Sequence, residues 1–168
     1  MGEGSPTPYS QKQHFWALIL SALLGWAGVA AAIIGGGDLD RFLGLLPFAA
    51  VIGLPIAFLL TFLVGGPVLR RLMLQPVGWL RAATGGAYIA AIIAVISVLI
   101  GRFVGLVQSR DSSSYSRIGG ADNPVEIDGI LTLHGWLLLG HRTLIFIAFG
   151  ATVGLVIRAV IGPGRRPG

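Results

Sequence analysis

A chain of 168 residues that is 54% hydrophobic and only 11% charged, with a mean hydropathy of +0.82, carries more apolar surface than one soluble core can cover. That excludes an ordinary soluble domain and reads as an integral membrane protein, and the absence of cysteine excludes disulfides, thiolate metal sites and cysteine nucleophiles. The net charge of +5 does not point to nucleic acid, because the bases sit at the ends of apolar runs rather than on one face with interleaved aromatics.

Residues 1–14 form a polar tail with Pro6 and Pro8, expected to be flexible. The first apolar run, Phe15 to Ile34, is preceded by Lys12 and holds small residues at Ala30 to Ala32, as a signal peptide would. Its length exceeds the usual 7 to 15 residues or so of such a segment, which predicts a retained helix. The second run spans Phe42 to Val64, with Pro47 and Pro55 expected to kink it. Residues 65–83 alternate leucines, Val77 and Trp79 with Arg70, Arg71 and Arg81, a pattern expected along a headgroup layer with breaks at Pro67 and Pro76. The third run spans Thr84 to Val107. Residues 108–128 are polar and turn-rich, with Ser112 to Ser114, Gly119-Gly120 and Asn123-Pro124, and are expected to be a mobile surface loop. Residues 129–140 are apolar but too short to cross a bilayer, and are expected to lie in the outer interface, to extend the fourth helix against another protein, or to re-enter the membrane. The fourth crossing is expected over 141–162, and 163–168 is a second flexible tail.

Four crossings define an all-α, four-helix membrane bundle in the single domain 15–162. Their orientation follows from charge. The two tails, the loop after the second run and Arg158 at the end of the last run together supply seven basic residues against Glu3 alone, whereas the other two loops hold three against six acids. The positive-inside rule then puts both termini in the cytoplasm. Eleven of the twelve bases are arginine, and with the many alanines and glycines this is the composition of a GC-rich bacterium; the expected location is a bacterial inner membrane.

Small residues on one helix face allow the close backbone approach that drives association in lipid. Gly25 and Gly28 in the first helix, Gly53 in the second, Gly86 and Ala90 in the third, and the GxxxG of Gly150 and Gly154 in the fourth are the candidate packing positions. Packing of the four helices on one another is the first expectation. Docking of another protein or a second copy on one stripe is the alternative.

No aspartate or glutamate falls inside an apolar run, which argues against a proton-coupled carrier or a carboxylate-based hydrolase in the membrane. The embedded hydroxyls Ser21, Thr61, Ser97 and Thr152 are expected to bond the preceding turn's carbonyls. His14 belongs to the opposite membrane face from His134 and His141. The last two are seven residues apart, about 10.5 Å of helical rise, too far to share one zinc. No metal site or obligatory cofactor is predicted, and the pattern departs from that of the four-helix b-type cytochromes. A haem or chlorophyll-type pigment held by His141 or His134 alone stays open.

Sixteen residues, about 24 Å of helix, separate Arg142 from Arg158 and put Arg142 near the outer boundary. Arg102 is expected at a similar depth. The first expectation for both arginines is that of snorkelling anchors with no special role; the alternative is that with His141 they form a candidate site for an anion, which could be a loop carboxylate (Asp38, Asp40, Glu126 or Asp128), a lipid phosphate or a group on a partner. The function expected from these features is a non-catalytic accessory subunit, assembly factor or interaction partner of a larger membrane complex. Its partners would be membrane lipids and other membrane subunits or a second copy. The alternatives are binding or transport of an anionic lipid or small anion at the outer leaflet, and pigment binding.

Overall fold

The computed structural model describes residues 9–34, 39–110, 117–120, 123–162 and 164, without the side chains of 32–34, 39–43 and 117. The side chain of Ala32, residues 1–8 and 165–168 of the tails, the serines at 112–114, Asp38, and the side chain of Asp40 lie outside that description.

Helix α1 is Gln11–Ile34, α2 is Leu39–Leu60, a π-helical turn covers Thr61–Gly65, and α3 is Gly66–Leu72. Helix α4 is Trp79–Gln108; strands β1 (Arg117–Gly119), β2 (Pro124–Ile127) and β3 (Ile130–Leu131) follow, and α5 is Leu133–Ile161. Four helical spans are long and apolar enough to cross a membrane: Gln11–Ala31, Gly44–Leu72, Trp79–Gln108 and Leu133–Ile161. The fold is helical apart from the small sheet, and it forms two compact units: 1–89 with 149–168, and 90–148.

In the first unit, α1 begins four residues before the apolar run does, because Ser10 and Gln13 form a reciprocal cap. The Gln13 N–H donates to Ser10 Oγ (3.3 Å), and the Ser10 N–H donates to Gln13 Oε1 (2.8 Å). Three alanines of α1, Ala17, Ala22 and Ala30, are fully or nearly buried. Trp26 lies over Gly53 of α2, and its indole N–H donates to the Ala49 carbonyl at 3.0 Å. Ser21 Oγ donates to the Ala17 carbonyl at 2.7 Å, the expected local bond.

Both prolines of α2 sit inside the helix. The π-helical turn has a local cause in Pro67, which has no N–H and whose ring crowds the carbonyl four residues back. The turn ahead of it widens so that the Gly66 N–H reaches Thr61 O, and Pro67 then starts α3. The helical stretch therefore runs on to Leu72, past the expected break at Pro67, while Met73 and Val77 turn inward and are buried.

Helices α4 and α5 cross through backbone. A Cβ at Gly86 would overlap the Gly150 carbonyl oxygen and stand 3.1 Å from Gly154 Cα, and one at Gly154 would overlap the Ala82 carbonyl. Gly28 of α1 lies under the Phe149 ring, where any side chain would overlap it.

Tyr9 is 3% exposed and packs with Ala17, Met73, Val77 and Ala82. Its hydroxyl accepts the Val77 N–H at 3.1 Å and donates to the Gly162 carbonyl at 3.4 Å. Gln13 Nε2 donates to the Ile161 carbonyl at 3.5 Å. Two carbonyls at the C-terminal end of α5, which no helical N–H can reach, are thus answered by side chains from the start of the chain. Tyr9 is core, a departure from the reading of 1–14 as a loose tail, and Gly164, at φ +77°, lies against its ring.

In the second unit, β1, β2 and β3 form an antiparallel sheet in that order. Ile127 pairs with Ile130 across the two-residue turn Asp128-Gly129, whose φ values of 48° and 78° are both positive. That is the hairpin turn that Asp-Gly favours between β-branched residues. The expected loop is therefore partly strand, and residues 133–140 form the first turns of α5, as the helix-extension reading of 129–140 has it. Thr132 caps that helix: its Oγ accepts the Gly135 N–H at 3.1 Å and its hydroxyl donates to the Pro124 carbonyl. Gly135 is buried against the Val125 carbonyl, where a Cβ would overlap it.

Candidate functional site

The polar side chains singled out from sequence on α4 and α5 divide into those answered within the fold and those left open. Arg102, near the end of α4, reaches the β2–β3 hairpin: Nη2 donates to Glu126 Oε2 at 3.2 Å and Nη1 to the Gly129 carbonyl at 3.5 Å. The pair is mostly shielded, with side chains 30% and 15% exposed. A second backbone approach lies beside it, since a Cβ at Gly105 would overlap the Gly129 carbonyl. The absence of side chains at Gly105 and Gly129 thus lets the hairpin settle on α4 within reach of the guanidinium. Of the four loop acids that could answer a cation, Glu126 meets Arg102.

Arg142 and His141 are exposed on α5, and so is His134. Arg142 has no hydrogen bond or ion pair to any described residue. Arg102 and Arg142 do not meet the same groups. The Arg102 guanidinium meets the hairpin that precedes Leu133, whereas Arg142 lies nine residues beyond Leu133, about 14 Å along the helix. The physical reason is that α5 starts at the Thr132 cap, so His141 and Arg142 fall well inside a helix and not at its beginning.

Among the described residues no three of His, Cys, Asp and Glu gather as metal ligands would. His134 and His141 stand on the same exposed face without a third donor, and His14 hydrogen-bonds the Ser10 carbonyl through Nδ1 at 3.2 Å. The packing candidates are also divided. Gly28, Gly53, Gly86, Gly150 and Gly154 stand at close approaches, and Ala90 is 5% exposed. Gly25 has nothing within 4 Å of where its Cβ would be.

Arg158 is the cation of α5 that the fold does answer. Its Nε donates to the Val77 carbonyl and its guanidinium lies 5.1 Å from the Trp79 ring centroid. Among the described residues no carboxylate takes part. The carbonyl and the negative face of the indole supply the electrostatic partner instead. Sequence reading placed Arg158 and Trp79 at one membrane face but did not connect them, because the loop that turns the Val77 carbonyl inward is not written in hydropathy.

The arrangement defines a chain of four long apolar helices with a cation-bearing exposed face on the last. Comparison with family models, with curated proteins and with solved structures finds no match for this chain.

Proposed function

We propose that this chain is a non-catalytic, four-crossing protein of a bacterial inner membrane, with both termini cytoplasmic, that serves as an accessory subunit or assembly partner of a larger membrane complex. The observation that carries the reading is helix α5. Its 29 residues include an 18-residue apolar window in which no residue is buried within the chain, although that stretch is flanked or interrupted by His141, Arg142 and Arg158. A helix with polar groups on an open face gains from a neighbour that answers them, because lipid tails cannot. Two other cations of the long helices, Arg102 and Arg158, are already engaged within the chain.

Extraction from the native membrane in a mild detergent, followed by native electrophoresis, tests the reading. The expected result is migration in a complex well above the 17.5 kDa of one chain plus its detergent belt. A monodisperse species of one chain, alone even after mild crosslinking in the membrane, overturns it. The orientation has its own test, made simple by the cysteine-free sequence. A single cysteine at Ser5 is expected to react with an impermeant maleimide only from the cytoplasmic side, and one at Gly120 only from the other.

A further inference from the structure

The face of α5 around Arg142 is more specific than an apolar surface. Exposed positions recur on it every seven residues: His134, His141 and Ala148 make one series, and Leu137 (67% exposed) and Leu144 (68% exposed) make another. A seven-residue recurrence keeps one seam turned toward a neighbouring helix over several turns. Arg142 borders that seam. Its counter-charge does not come from the described part of the chain, since Glu126 is held by Arg102, and Asp128 has an interaction of its own.

A second copy of the chain is a poor occupant. No aspartate or glutamate lies within Gln11–Ala31, Gly44–Leu72, Trp79–Gln108 or Leu133–Ile161, so another copy offers no acid along its crossing segments. Two copies paired about a two-fold axis along this seam would set Arg142 against Arg142. Like charges at one depth in a low-dielectric layer repel strongly. A lipid phosphate could meet the guanidinium, but it would leave His141 and the rest of the seam facing acyl chains.

We propose that this seam receives a transmembrane helix of a different membrane protein, one that carries an aspartate or glutamate at the level of Arg142. The pair would be a bidentate, charge-assisted contact, and His141 beside it offers a second donor to the same carboxylate. The inference rests on the reading of the chain as a subunit of a larger complex and adds the chemistry of the partner.

The test uses the full chain in its native membrane with a photoreactive benzoylphenylalanine in place of Leu137 or Leu144, and mass spectrometry of the adduct. The expected product is a crosslink to a membrane-spanning peptide of another protein that contains Asp or Glu. Its yield should fall by roughly tenfold or more in the Arg142→Gln variant, as is usual when one partner of a desolvated charge pair is removed, and should be largely kept in Arg142→Lys. Arg142→Gln with an unchanged unfolding midpoint in detergent separates loss of binding from loss of folding. Adducts only to phospholipid, only to a second copy, or to a helix without a carboxylate overturn the proposal. A chain that migrates in a large native complex yet gives no adduct from either position also overturns it while the subunit reading stands. A chain that migrates alone overturns both.

Discussion

The two ends of helix α5 treat a cation in opposite ways. Near the C-terminal end Arg158 is half-buried, bonded to the Val77 carbonyl and laid against Trp79, and the last carbonyls of the helix are taken up by Tyr9 and Gln13. In the N-terminal half Arg142 and His141 stand exposed without a partner among the described residues. The difference teaches that an arginine in an apolar helix needs an electron-rich partner but not an acid. A loop carbonyl and an indole suffice where the chain can bring them.

The largest expected effect comes from breaking the tied end at its closest contact. Gly86→Leu should prevent the α4–α5 crossing altogether, since even a Cβ there overlaps the Gly150 carbonyl, and Gly86→Ala should cost about 1–3 kcal/mol of stability. Protein yield and thermal unfolding in detergent measure this. A Gly86→Ala variant as stable as the parent would show that the crossing is looser than described. Tyr9→Phe should come next: it keeps the ring in the core but leaves the Val77 N–H without its acceptor, an expected loss of about 1–3 kcal/mol. An unaltered denaturation midpoint would remove Tyr9 from the set of ties.

Arg102→Gln sharpens the comparison from the other unit, where a cation is answered by an acid. Leaving Glu126 unpaired should cost about 1 kcal/mol, discounted for the partial exposure of the pair, and should raise amide exchange in β2 and β3. Exchange rates matching those of the parent would mean that the hairpin is held by Thr132 and the Gly105–Gly129 approach alone. The smallest effect is expected at Gly140, on the open half of α5, with nothing within 4 Å of a Cβ. Gly140→Ala should be neutral or stabilise the isolated chain by about 0.4–1 kcal/mol through the unfolded state. A clear loss of stability would reveal packing on that half.

Hydropathy made the four long helices legible, because twenty or so apolar residues leave the backbone no better solution than a helix. Boundaries were less legible, though the signals were present. Ser10-x-x-Gln13 is a capping box ahead of an apolar run, and Ile127-Asp128-Gly129-Ile130 is a hairpin turn between β-branched residues. The second of these converts part of an expected loop into a sheet, and after it the helix starts at Leu133, the extension that is one of the readings of 129–140. Glu126 could be named among the possible partners of Arg102 from charge alone, but choosing it needed the hairpin to fold. The tie at Tyr9 was not legible. It joins residues 68 and 153 positions apart in sequence through one hydroxyl, and no local pattern encodes such a contact.

Thermal unfolding of Arg158→Gln and Arg142→Gln, side by side in one mild detergent, tests the contrast within α5 most directly. Arg158→Gln should lose about 1–3 kcal/mol, as a hydrogen bond and a cation–π contact go together, while Arg142→Gln should stay within about 0.5 kcal/mol of the parent. Equal losses in the two variants, or a larger loss at Arg142, would contradict the assignment of one arginine to the fold and the other to a partner.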